Sequence, residues 1–317
     1  MLTNTLIILL VVVLTLVAVW LTLRARRAQK PVTKWLGLIA GVAFSLILLL
    51  ISGASTRGMG MLYAPRGRQL RTDVSVPHTP ERVARGQHIA NTMCATCHSL
   101  NGQLPLSGGM NLSDQAKMPL GDLYTINLTP AGPLQNWTDA EIFRAIRDGA
   151  DNKRRRLLVM SAQRVRHLSD DDIKSVVAYL RSQPPVQHET PSERPSFLTV
   201  VLAGAGMLPT SREMAPENIQ APPPGPTPEY GQYMVKWMGC DECHGPQLTG
   251  GGGGVVPKGP TLRNVKGWTR EGFTTAIRTG KTPFGKQLDS LLMPWTFFGR
   301  ATDEELSAIH AYLVTLP

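Results

Sequence analysis

A chain of 317 residues with 42% hydrophobic residues, 25 prolines and four cysteines has room for two or three small units. Its formal net charge is +10, yet residues 1–78 hold nine Lys/Arg against one acid, while 79–195 hold 14 against 12, 196–220 one against two and 221–317 nine against eight. A surplus confined to one end is topogenic, so the charge gives no reason to expect nucleic-acid binding.

Residues 1–52 read as a transmembrane hairpin. Leu2 to Leu23 and Trp35 to Ser52 carry no charge and are each near the length of a membrane-crossing helix. Arg24, Arg26, Arg27, Lys30 and Lys34 lie between them with no acid, which places the connecting loop in the cytoplasm and both ends of the hairpin outside. A cleaved signal peptide fits less well, because Met1-Leu-Thr-Asn-Thr has no basic residue and Leu21-Thr-Leu-Arg is a poor cleavage site. Residues 53–78 form a juxtamembrane segment whose Arg57, Arg66, Arg68 and Arg71 are open to lipid head groups or a partner subunit.

The first outer domain, 79–195, starts a helix at Thr79-Pro80-Glu81. It then presents Cys94-Ala95-Thr96-Cys97-His98, a C-x-x-C-H motif of the kind that attaches a c-type haem. Two thiols bind the porphyrin and the adjacent His binds iron. Downstream lie Trp137-Thr138, Phe143 and Ala145-Ile146-Arg147, then the basic run Lys153–Arg156. That run reads as a solvated loop, or else as a docking patch or an anchor for haem propionates. The domain closes with an amphipathic helix from Leu168 to Leu180, capped by Ser169.

An interdomain linker, 196–226, follows. Its apolar piece, Phe197 to Pro209, is short for a membrane span and reads as a packed interdomain segment, with a membrane-surface location as the alternative. Its proline-rich part reads as an extended spacer. The second domain, 227–317, repeats the plan of the first: Thr227-Pro228-Glu229, Gly231-Gln232 (as Gly86-Gln87), Cys240-Asp241-Glu242-Cys243-His244, Trp268-Thr269, Phe273, Ala276-Ile277-Arg278, and a last helix from Ala301 to Leu313 capped by Thr302. Gly250–Gly254 and Gly280-Lys281-Thr282 hint at a phosphate loop. However, Thr275 stands where the first glycine belongs and no strand precedes it, so a loop beside the cofactor is the better reading.

The two motifs use all four cysteines, and a thioredoxin-like pair or a zinc site would leave both histidines unexplained. Two covalently bound haem c groups are therefore expected. Their iron ligands are His98 with Met160 and His244 with Met293, because each methionine lies 19 residues before the tyrosine of the last helix (Tyr179, Tyr312). Met110, Met118, Met234 and Met238 are the competing methionines. His78, His88, His167, His188 and His310 read as surface or structural. Trp137 and Trp268 join Cys94, Cys97, Cys240 and Cys243 as cofactor-binding residues.

Residues 79–317 resemble tandem class I cytochromes c, and in particular the cytochrome subunits of membrane-bound alcohol and gluconate dehydrogenases. The resemblance is carried by both C-x-x-C-H motifs, Asn127-Leu128-Thr129-Pro130 before Trp137-Thr138, Met293-Pro294 and the Ala-Tyr-Leu endings. It implies an all-α fold and a carbonyl partner for the axial histidine, supplied by Pro260 of Gly259-Pro260-Thr261-Leu262. The first copy has Gly109-Met110-Asn111-Leu112 in a comparable place, without the proline. The chain departs from those subunits in having two haem domains rather than three and an N-terminal anchor.

The whole is expected to be all-α, an N-terminal hairpin followed by two class I cytochrome c domains. It is read as an electron carrier, not an enzyme by itself. It would act on the periplasmic face of a prokaryotic cell membrane in a respiratory or photosynthetic complex, with a dehydrogenase subunit as the alternative. A dihaem peroxidase or a haem-based sensor fits less well. The expected partners are membrane redox subunits and a soluble or membrane electron carrier, with no small-molecule substrate pocket.

Overall fold

The computed structural model describes residues 1–71, 74–208, 214–252 and 257–317, so Pro209 and Gly253–Gly254 of the segments above lie outside the described residues. Packing divides the chain into two units: residues 1–64, 111–123 and 192–208, and residues 65–110, 124–191 and 209–317.

In the first unit, α1 (Leu2–Ala25) and α2 (Pro31–Tyr63) are apolar enough to cross a membrane, with mean hydropathy of 3.1 and 2.5 over their best windows. They pack side by side where Gly41 lets Thr22 approach; a Cβ there would meet the Thr22 hydroxyl at 2.3 Å. The Thr15 and Thr22 hydroxyls donate to the Val11 and Ala18 carbonyls at 2.7 Å, so neither needs water. Beyond Ser52, where the apolar run ends, α2 continues for eleven residues to Tyr63. Glycines at 53, 58 and 60 disfavour helix, but Gly58 lies under α8 (Phe197–Ala205), where a Cβ would sit 1.9 Å from the Val200 carbonyl. The segment 111–123 folds as α5 (Leu112–Ala116) and β1 (Gly121–Asp122), and β1 pairs antiparallel with β2 (Arg194–Pro195).

The second unit holds both copies of the repeat. The first copy has α3 (Pro80–Ile89), a π turn (Ala90–Cys94), α4 (Ala95–His98), α6 (Asp139–Asp148) and α7 (Asp170–Ser182). The second has α9 (Pro228–Met238), α10 (Cys240–His244), α11 (Arg270–Thr279), α12 (Trp295–Phe298) and α13 (Asp303–Leu313). In each, the first helix crosses the last at a glycine. A Cβ at Gly86 would lie 1.8 Å from the Ser175 carbonyl of α7, and one at Gly231 1.9 Å from the Ala308 carbonyl of α13, with Tyr179 and Tyr312 beside them. Ile89, Ile173 and Val177 fill the first crossing, and Met234, Leu306 and Ile309 the second. Each such side chain contributes about 1.5–3 kcal/mol by burial. One contiguous apolar cluster runs through both copies.

The packing units cut across the expected segments. Residues 111–123 and 192–195 leave the first cytochrome segment for the first unit, and the linker splits between units. The juxtamembrane arginines are engaged by protein: in the first unit Arg57 donates to the Gly204 carbonyl at 2.6 Å, and in the second Arg68 pairs with Asp148 at 2.8 Å and also with Glu217, and Arg71 pairs with Asp170 at 2.5 Å. The basic run is structural too. Arg154 donates to the Gly67 carbonyl at 2.9 Å and Arg155 pairs with Asp151 at 2.7 Å. The proline-rich stretch is pinned, with Asp170 N–H donating to the Ile219 carbonyl at 2.9 Å.

Candidate functional site

Both C-x-x-C-H motifs sit on a helical turn, so the two thiols share a face and the histidine follows them. The α-helical register is interrupted just before or at each motif. The first copy inserts the π turn that ends at Cys94, and the second places Gly239 in the left-handed region (φ +77°). Burial pushes the Cys94 and Cys240 thiols up to about 12. That is the reverse of the low-pKa thiolate of a redox-active pair or a ready zinc ligand. Among the described residues, no group of three or more His, Cys, Asp and Glu converges on a metal position.

His98 Nδ1 lies 3.1 Å from the Ile126 carbonyl and His244 Nδ1 lies 2.7 Å from the Pro260 carbonyl. A carbonyl only accepts, so Nδ1 carries the proton in both rings and Nε2 presents its lone pair. Burial holds His98 below its ordinary pKa, against the opposing pull of the Ile126 carbonyl, so the ring is neutral as a ligand must be.

A matching loop frame supports each histidine. Gly108 N–H donates to the His98 carbonyl and Gly250 N–H to the His244 carbonyl, both at 2.9 Å. Gly109 N–H reaches the Thr125 carbonyl at 2.8 Å, and Gly251 N–H the Gly259 carbonyl at 2.9 Å. Leu128 N–H bonds the Leu106 carbonyl as Leu262 N–H bonds that of Leu248, at 2.9 and 2.8 Å. Glycines 108, 109, 250 and 251 all have φ between +69° and +97°. The counterpart of Gly259-Pro260-Thr261-Leu262 is thus Thr125-Ile126-Asn127-Leu128, not Gly109-Met110-Asn111-Leu112. Residues 111–123 are an insertion between the two halves of the frame, and they displace the expected alignment.

The methionine loops repeat as well. α6 and α11 end at left-handed glycines, Gly149 (φ +63°) and Gly280 (φ +72°). Each is followed by a small bridge, Ala150 to Arg156 and Lys281 to Gln287. Leu157 N–H returns to the Gly149 carbonyl at 2.8 Å and Leu288 N–H to that of Gly280 at 2.7 Å. The loops then press back on these glycines: a Cβ at Gly149 would lie 2.3 Å from Ser161 Cα, and one at Gly280 2.5 Å from the Trp295 ring. Met160 and Met293 precede these contacts by one and two residues and are half-buried. Met234 and Met238 are core residues of α9, and Met118 belongs to the first unit.

The residues fit a c-type haem. Each copy offers two thiols, an oriented imidazole and a thioether. The Trp268 indole N–H is buried with no acceptor among the described residues, a donor suited to a propionate. Leu291 and Leu292, next to Met293 in sequence, present apolar surface, as does Phe284, which stands edge-on to Trp268 at 6.3 Å. Trp137 is half-buried against the core, and its carbonyl accepts from Arg181. Of the other histidines, His88 bonds Glu305 at 2.7 Å and His310 Nε2 bonds the Trp268 carbonyl at 3.1 Å.

The two copies meet through a reciprocal interface. His88 of α3 reaches Glu305 of α13, while Tyr233 of α9 donates to Asp172 of α7 at 2.6 Å. Both acids hold the third position of the closing helix of their copy. Arg85 pairs with both, at 2.8 Å each. Although burial opposes its charge, hydrogen bonds from His88, the Thr302 N–H and Arg85 hold the Glu305 carboxyl down at about 2. Flanking this, Arg164, just after Met160, lies 3.3 Å from Asp241 and Glu242 inside the second motif. Reciprocally, Arg300, after Met293, donates to the Asn91 carbonyl at 2.7 Å, just before the first motif. Sequence reasoning missed this network because its partners lie 61–220 residues apart.

Comparison with known proteins agrees. Residues 81–180 match the family described as Cytochrome C oxidase, cbb3-type, subunit III, and residues 228–317 match Cytochrome c. The chain is 26% identical over 274 residues to a nicotinate dehydrogenase subunit of Pseudomonas putida, covering 81% of this chain and 21% of that protein. It is 27% identical over 270 residues to the cytochrome c subunit of alcohol dehydrogenase (quinone) of Gluconacetobacter polyoxogenes, covering 74% and 56%. It is 25% identical over 271 residues to the gluconate 2-dehydrogenase cytochrome c subunit of Pantoea cypripedii, covering 74% and 59%. The chain thus spans from about a fifth to three fifths of the length of these relatives. The carbonyl-oriented histidines, the paired thiols and the two family matches show two cytochrome c domains in tandem, and such domains imply covalently bound haem c.

Proposed function

We propose that the chain is the cytochrome subunit of a membrane-bound dehydrogenase. The hairpin anchors it in a prokaryotic cell membrane, and its two domains carry one haem c each on the periplasmic face. The observation that carries this reading is one donor frame built twice, in a chain whose relatives are named as dehydrogenase subunits. Those names favour a dehydrogenase over the broader expectation of a respiratory or photosynthetic complex.

The haem supplies the one-electron couple. Cys94, Cys97, Cys240 and Cys243 would hold it covalently, and His98 and His244, each with Nδ1 committed to a carbonyl, would present Nε2 to its iron. Met160 and Met293 would supply each iron's second ligand, and a thioether with an imidazole is the pair that raises the potential and disfavours peroxide chemistry. Arg164 and Arg300 bring the methionine loop of each copy against the motif segment of the other, so an electron taken up at one domain passes to the other across this interface. Donor and acceptor are a dehydrogenase subunit and a soluble or membrane carrier.

Purification of the full chain from native membranes in mild detergent tests the assignment. The expected outcome is two haem c per chain by pyridine haemochrome, a copurifying dehydrogenase subunit, and reduction of the haem by that enzyme's substrate. Copurification with an oxidase or photosynthetic core instead would contradict it.

A further inference from the structure

The helix between the two cytochrome domains has no polar face. α8 reads Phe197-Leu-Thr-Val-Val-Leu-Ala-Gly-Ala205, and its one polar side chain, Thr199, is buried and donates to the Leu120 carbonyl. Its ends are closed internally. Ser196 accepts from Thr199 N–H at 3.2 Å, Met207 N–H returns to the Leu202 carbonyl at 2.9 Å, and Arg57 of α2 donates to the Gly204 carbonyl at 2.6 Å. A helix that is apolar all round belongs in a protein core or in lipid.

Among the described residues, protein covers one face only. Thr199, Val200, Ala203 and Gly204 are buried, with Gly204 and Gly58 so close that a Cβ on either would lie under 2 Å from the other helix's backbone. Such small-residue contacts bring helices together in membranes. The other face stays open: Leu198 is 37% and Met207 59% exposed, with Val201 and Leu202 half-exposed. The level of the helix on the hairpin indicates what covers that face. α8 crosses α2 between Ala54 and Gly58, and Asn4 of α1 donates to the Pro195 carbonyl at 2.9 Å just before α8 begins. Asn4 marks the end of α1 opposite the basic loop, and α1 and α2 themselves leave their apolar sides exposed at that level. The open face of α8 therefore continues the lipid-facing surface of the hairpin.

We propose that α8 is a third membrane contact, an interfacial helix whose Leu198–Met207 face is covered by the acyl chains of the outer leaflet, so that the segment joining the two cytochrome domains is held to the bilayer. This rests on the hairpin reading. Single cysteines introduced as Leu198→Cys and Met207→Cys in the haem-loaded full chain, whose native cysteines are bound to haem, would carry a nitroxide label in phosphatidylcholine vesicles. Val13→Cys on α1 and Asn264→Cys, exposed on a 3-10 turn of the second domain, serve as references. The expected result is collision with oxygen exceeding collision with a water-soluble nickel chelate several-fold at 198 and 207, as at 13 and opposite to 264. Nickel-dominated collision at 198 and 207 with oxygen-dominated collision at 13 overturns the proposal alone. Suppression of both collisions there also overturns it, because protein then covers the face. Nickel-dominated collision at 13 overturns the hairpin reading and the proposal with it.

Discussion

The two cytochrome copies share a backbone frame more closely than they share residues. The second holds His244 with the Pro260 carbonyl and the first holds His98 with that of Ile126, at 2.7 and 3.1 Å. The first also interrupts its frame with residues 111–123, which fold into the other unit, and still closes the same three loop hydrogen bonds on either side. What is repeated is a set of carbonyls and left-handed glycines. Side-chain identity is kept at the Cys and His of the motifs, at the proposed methionine ligands, and at glycines where helices touch.

The largest effect should come from those glycines. Gly86→Val and Gly231→Val push a side chain into the facing helix backbone, and each should lower stability by about 3 kcal/mol or prevent folding. Thermal unfolding would check this, and tolerance in one copy alone would break the equivalence. Next come the ligands. Met160→His and Met293→His should each lower one potential by a sizeable part of the roughly 0.8 V that axial ligands span, leaving the other unchanged in a redox titration.

The interface gives two smaller effects. Arg164→Ala removes a cation beside the second motif and should lower that centre's potential by roughly 20–40 mV, the equivalent of a surface ion pair. The Glu305 carboxyl is held below its ordinary value, so its contribution is present above about pH 4.5 and is lost as the pH falls toward about 2. Melting temperature should drop across that window, and Glu305→Gln should flatten the drop. The smallest change is expected from Pro260→Ala, which keeps the accepting carbonyl. It should alter stability by no more than about 1 kcal/mol and leave the potential nearly unmoved.

The sequence carries the chemistry and the repeat plainly, because Cys, His, Met and Gly stand at fixed offsets from helix starts. It hides the carbonyl partner of His98, since any residue supplies a carbonyl and the proline that flags it in one copy is absent from the other. It hides the division into units for a related reason: 111–123 and 192–208 are joined by the Gly121–Pro195 pairing and by α8 packing on Gly58, contacts that leave no local pattern. The basic run at 153–156 has the composition of a surface feature, and its side chains tie Gly67 and Asp151 instead.

A potentiometric titration of the full chain tests the central claim most directly. Two equivalent donor frames predict two one-electron components of equal spectral amplitude, both low-spin, with Met293→His displacing one of them only. A single component, or one centre that is high-spin and five-coordinate at rest, would contradict the account.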